Sequence, residues 1–304
     1  MGKLLKFSVS LIAVTASYAQ SEEEPARPRP AAAVRQIHRS PLRGAAGPAA
    51  AAGGKSLPAN GIMYHNGPLL LGTVNLYLIF YGSWGPKQVA LLTNWASHIG
   101  GSPYFNINTT YSDWAGRYIS NSAVLAGTAR DSYSLGKSLS DLQVEQVITN
   151  AIGGGSLPMD PNGVYFVLAS ADVLQTAGFC SSFCSYHVDS YVNGQTLKFI
   201  FVGNPATQCL SWCAPQTISP NNLPGVDAMV SAATHELVES VTDPQLDGWF
   251  FPDGNESADE CAWTFGNEYS LSNGSKANMV LGGKQYLIQQ TWVNAGGGFC
   301  ALSY

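Results

Sequence analysis

The apolar residues of this 304-residue chain fall into short runs punctuated by turn formers. Residues 69–81 (Leu-Leu-Leu-Gly-Thr-Val-Asn-Leu-Tyr-Leu-Ile-Phe-Tyr) are apolar, aromatic or β-branched almost throughout, which predicts a strand buried on both faces. Gly82, Gly85 and Pro86 break it. From residue 87 to 99 the apolar positions are Val89, Leu92, Trp95, Ala96 and Ile99, a helical period. A second helix is predicted over 138–152, with Ser140 as its cap and Leu142, Val144, Val147 and Ile148 turned inward. Residues 164–168 and 197–202 read as short strands, 226–241 as a helix and 286–292 as a closing strand. Strands and helices alternate, so the expected fold is α/β (or α+β), a mixed sheet with packed helices in a single domain.

The helix over 226–241 carries the chemistry. His235 and Glu239 are four residues apart and share one helical face, with Glu236 beside them. This is the layout of the zincin-like His-Glu-x-x-His helix, in which two ligands one turn apart hold zinc and the intervening glutamate activates water. Here Glu239 stands in the second ligand position. The ordinary reading of such residues is a solvated charged face. Ala232, Ala233, Leu237, Val238 and Val241 wrap much of the helix, however, and a histidine buried among carboxylates calls for a cation. The third ligand is expected from the acidic stretch that follows, as Asp259 or Glu256. Asp243 is its rival, or a residue that orients a ligand. Calcium is the weaker alternative to zinc, held by oxygens from Asp243, Asp247, Asp253, Glu256 and Asp259.

Composition places this chemistry outside the cell. Residues 1–19 pair two lysines with a short apolar run and end in Ser17-Tyr18-Ala19, a secretory signal too short to span a bilayer. Residues 20–57 are rich in Pro, Ala, Gly and Arg without an apolar period, and read as a disordered linker or removable pro-segment. The formal net charge is −5. Eight of the 15 basic residues precede residue 58, against three of the 20 acidic ones, so 58–304 is strongly acidic and unsuited to nucleic acid or anionic lipid. All six cysteines follow residue 179. Two C-x3-C pairs, Cys180/Cys184 and Cys209/Cys213, read as local disulfides, or with His187 as a second zinc site. Cys261 and Cys300 are then left to pair. Asn108, Asn255 and Asn273 head glycosylation triplets. His65 reads as a turn residue and His98 as a helix-terminal cation.

The chain resembles the EXORDIUM or phosphate-induced protein family across residues 61–304. The resemblance rests on residues 62–72 (Ile-Met-Tyr-His-Asn-Gly-Pro-Leu-Leu-Leu-Gly) and 79–84, on Phe201-Val202-Gly203-Asn204, on Gln208-Cys209 and Cys213-Ala214, on the approach from Gly225 to His235-Glu236-Leu237, and on Glu256, Asp259 and Cys261. Thr242-Asp243-Pro244 and the basic tail before residue 58 depart from the plant pattern. The resemblance implies an extracellular or cell-wall protein and brings no established reaction. Two functions follow: a secreted zinc hydrolase in which Glu236 activates water for attack on a peptide-like bond, or a non-catalytic protein that binds a peptide or cell-wall component with a structural or degenerate metal site. A glycosidase built on paired carboxylates is weaker.

Overall fold

A computed structural model describes residues 38–43 and 60–304. The expected signal over residues 1–19 lies outside the described residues, as does most of the expected linker over 20–57. Six strands form one mixed sheet: β1 (His38–Pro41), β2 (Val74–Tyr81), β3 (Ala123–Asp131), β4 (Gly163–Ala169), β5 (Phe183–Val192) and β6 (Gln195–Gly203), in the spatial order β1-β5-β6-β4-β2-β3. The strands from β6 to β3 run parallel, whereas β1–β5 and β5–β6 are antiparallel. This mixed sheet with packed helices is the expected fold class.

Alternation explains why the central strands read as unbroken apolar runs. Leu76, Leu78 and Phe80 of β2 join one core cluster, and Tyr77, Ile79 and Tyr81 join the other. Helix α1 (Pro86–His98) packs its Leu91, Leu92 and Trp95 into the first cluster. Helix α2 (Asp141–Gly153) sends Val144, Val147 and Ile148 into the second. The connections β2-α1-β3 and β3-α2-β4 travel in opposite directions across the sheet. Right-handed crossovers therefore put their helices on opposite faces. Helix α3 (Pro224–Thr242) lies on the α1 face beside β5 and β6 and is buried along its whole length. Gly225 permits its close entry, because a Cβ there would lie 2.2 Å from the Asn204 side-chain oxygen.

Several expectations need correction. The first strand begins at Val74, after a break at Gly72-Thr73. Leu142 is 73% exposed, since it lies about 200° around the helix from Val144. The closing strand over 286–292 does not exist as one element. Lys284–Tyr286 pairs with Met279–Leu281, and Thr291–Val293 pairs with Phe299–Ala301, each a local antiparallel ladder outside the main sheet. Glycine-rich turns at 282–283 and 296–298, all with positive φ, fold the chain back before it can extend. Strands β3 and β5 were not anticipated. Finally, His38–Pro41 is ordered as an edge strand inside the segment expected to lack structure, because pairing with β5 supplies what an apolar pattern did not.

The cysteine pairing also differs. The bridges are Cys180–Cys209, Cys184–Cys213 and Cys261–Cys300. The first two cross-link the C-x3-C segments instead of closing each locally, with Cα separations of 5.4 Å, and so exclude a zinc site built on those thiols. Cysteines four apart on the turn at Leu210–Cys213 point the same way, toward the start of β5. The third bridge is the expected one. Asn108 is 1% exposed and donates to the Phe105 carbonyl, which leaves this glycosylation triplet inaccessible in the folded chain.

Candidate metal centre

Helix α3 delivers His235, Glu236 and Glu239 at 0% exposure, because small and apolar neighbours bury its whole circumference. A loop brings Glu256 (1% exposed) and Asp259 to the same place, and the Cys261–Cys300 bridge anchors its end. Strand β5 contributes Ser185 and His187. His187 was not recognised from sequence as part of this cluster. Its strand could have been found from Asn193-Gly194, both at positive φ, which close a two-residue hairpin between β5 and β6.

Two donor sets share one carboxylate. In the first, His235 Nε2 lies 3.4 Å from Glu239 Oε1 and 3.2 Å from Asp259 Oδ1. In the second, His187 Nδ1 lies 3.1 Å from Glu236 Oε2 and 3.7 Å from Glu239 Oε2. These are the groupings of His, Cys, Asp and Glu able to hold a metal ion among the described residues, and both contain histidine. Ligands at zinc–nitrogen and zinc–oxygen distances on a tetrahedron stand about 3.3 Å from one another. The spacing around His235 Nε2 matches that edge; the second set is less regular.

The remaining contacts hold the donors in place. Glu239 Oε1 also accepts from the amides of Ala258 and Asp259, at 3.1 and 3.0 Å, which fastens the loop to the helix. Ser185 Oγ donates to Glu236 Oε1 at 2.6 Å, so Glu236 is oriented from β5 by a hydroxyl on one oxygen and an imidazole on the other. Glu256 Oε2 lies 3.4 Å from His187 Nε2, the histidine of the second set. Desolvation alone would lower the His187 pKa, but Glu256 and Glu236 outweigh it and raise it well above the ordinary imidazole value. Asp243 is pushed up to about 8 by burial and by Glu256. Its Oδ1 accepts from the Asp247 and Gly248 amides, so it shapes the turn after α3. Of the oxygen set named for calcium, Asp253 accepts from the Asn255 amide in an exposed turn, whereas Asp243 and Glu256 interact with each other. His65 stacks on Phe250 and His98 bonds the Asn94 carbonyl at the end of α1, each apart from this centre.

The phosphate-induced protein 1 conserved region matches residues 62–292, a span that takes in β2 to β6, α3 and the acidic loop. The chain belongs to the phosphate-induced protein 1 family. Within it the chain is similar to Protein EXORDIUM-like 5 of Arabidopsis thaliana, 30% identical over 76% of this chain and 75% of that protein. Protein EXORDIUM-like 3 of the same plant is 31% identical over 76% of this chain and 80% of its own length. Protein PHOSPHATE-INDUCED 1 of Nicotiana tabacum is 30% identical over 62% and 67% of the two chains. No solved structure matches. Disulfides and these relatives are consistent with an extracellular member of the family, and no helix among the described residues is long and apolar enough to cross a membrane.

Proposed function

We propose that this protein is a secreted, zinc-dependent hydrolase acting on a peptide-like bond outside the cell, in the apoplast or cell wall. The observation that carries the reading is that Glu239 Oε1 and Asp259 Oδ1 stand 3.4 and 3.2 Å from His235 Nε2, close to a tetrahedral edge, in a largely buried site. Three protein ligands are the complement of a catalytic zinc, whereas structural zincs take four. Zinc bound there would lower the pKa of its water toward neutrality. Glu236, next to His235 in sequence and held by Ser185 and His187, is the residue to which this reading gives the water's proton.

A second reading has its own support. The donor atoms are almost fully buried, and both oxygens of Glu236 already have partners. A cation there would then be a fastening between α3, β5 and the acidic loop, in a non-catalytic binding protein. Elemental mass spectrometry on wild type and His235→Ala tests the metal: one zinc per chain, lost in the variant, is expected, and a metal-free wild type after zinc is offered would sink the centre. Glu236→Gln then separates the readings. It should keep zinc and abolish hydrolysis of a peptide library under the first, and alter no activity under the second.

A further inference from the structure

The sheet ends on an edge that the chain covers with its own N-terminal segment. Strand β5 is ten residues long and its first eight are buried. Without β1 it would be the outermost strand, and an edge of that length, with its unpaired main-chain groups, is a template for any extended chain. β1 covers it antiparallel, with His38, Arg39 and Ser40 opposite His187, Tyr186 and Ser185, and the register slips at Pro41, which has no amide hydrogen to give. It runs beside α3. The segment brings little apolar material of its own. Its anchors are Arg39, whose Cζ lies 5.0 Å from the centre of the Phe183 ring and whose Nη2 lies 3.3 Å from Asp141, and Arg43, which bonds the Trp212 and Pro215 carbonyls. Leu42 rests partly buried on the second core cluster.

These are the marks of a bound peptide: main-chain pairing along a sheet edge, and a side-chain pocket that reads one residue. We propose that the β5 edge is a binding site for an extended peptide carrying an arginine, and that residues 38–43 are its displaceable occupant in cis. Phe183, Tyr186 and Asp141 form the arginine pocket. The proposal deepens the reading of a peptide-directed protein by naming its ligand, and it stands on the sheet rather than on the metal. Because the partners of β1 include Ser185 and His187, a peptide seated here pairs beside the residues that hold Glu236.

The test keeps the full chain. A protease site is inserted in the sequence between Gly53 and Gly54 and cut after folding, and a fluorescent peptide of residues 36–44 is added. Anisotropy should show saturable uptake by the cut chain, at least ten-fold weaker uptake by the uncut chain because the tethered segment competes at high effective concentration, and at least ten-fold weaker binding of a peptide bearing Arg39→Ala. A cut chain that stays folded by circular dichroism and takes up no peptide would overturn the proposal, as would equal binding of the Arg39→Ala peptide. Should the cut chain unfold, the segment is an integral part of the fold and the proposal fails as well. Hydrogen exchange on the intact chain gives an independent check: amides of 38–43 should exchange at least a hundred-fold faster than those of β6, and equal protection would refute displacement. Zinc content measured on the same samples separates failure of the edge from failure of the centre.

Discussion

Exchanging Glu239 for glutamine makes the sign of a stability change report on the cation. The side chain is fully buried, with Oε1 in the His235 set and Oε2 in the His187 set. Glutamine preserves the shape and one carbonyl oxygen for the Ala258 and Asp259 amides, so the backbone bonds survive. Alanine would strand both donors at about 1–3 kcal/mol each. What glutamine removes is the charge. If zinc occupies the centre at a hundred-fold excess over its Kd, wild type is stabilised by about 2.7 kcal/mol, and the variant forfeits most of that. For a domain of this size each kcal/mol moves Tm by about 2–4 °C, so a loss of about 5–10 °C is expected. Without a cation the sign reverses, because Glu236, Glu256 and Asp259 crowd the same space and neutralising one carboxylate relieves repulsion. The assay is thermal unfolding of wild type and Glu239→Gln, each in zinc and in chelator. Wild type should melt above the variant in zinc and fall to or below it in chelator, and the variant should ignore the change. A variant that melts at or above wild type in both buffers would refute the reasoning.

Three other outcomes are expected. Replacing Cys261 and Cys300 by serine opens a loop with a sequence separation of 39; the chain-entropy model puts the loss at roughly 4 kcal/mol, read as a lower midpoint in guanidinium chloride. Gly225→Ala should cost about 1–3 kcal/mol by overpacking, since its Cβ would strike Asn204 and Ala206; an unchanged denaturation midpoint would show that α3 shifts freely. Burial raises the Asp227 pKa above 3.8 despite hydrogen bonds from Ser219 and Asn221. A carboxyl raised by folding adds stability that is full below its unfolded pKa and is lost as pH rises through the folded value. Asp227→Asn should flatten that decline in a pH series of midpoints, and an identical slope would count against it.

The residues that carry a strong local pattern were readable, and those that depend on distant partners were not. Helix α3 and the central strands announced themselves through uninterrupted apolar runs. His235 and Glu239 followed from helical spacing alone, and Asp259 from lying in the one acidic stretch able to fold back. His187 stands 48 residues before His235, on a strand whose cysteines and serines look like loop. Its place beside Glu236 is set by the order of strands in the sheet, which no local window contains. Strand β3 mixes alanine, glycine and threonine with its few apolar residues and has too weak an alternation to stand out. β1 has no intrinsic strand character and exists because β5 offers it an edge. The disulfide pairing is a tertiary fact, since four cysteines allow three connectivities on spacing alone.

The crossed bridges between 180–184 and 209–213 bear on how the molecule is made. In the unfolded chain a cysteine meets a partner four residues away far more often than one 29 residues away, so oxidation ahead of folding would favour the wrong, local rings. The native pair becomes reachable only once the start of β5 and the turn at Leu210–Cys213 lie side by side. Assembly of the sheet thus has to precede oxidation, or a thiol exchange step over seconds to hours has to undo early errors. Maturation of this protein is therefore a race between collapse and oxidant, and its yield should depend on the thiol redox buffer supplied while the sheet forms.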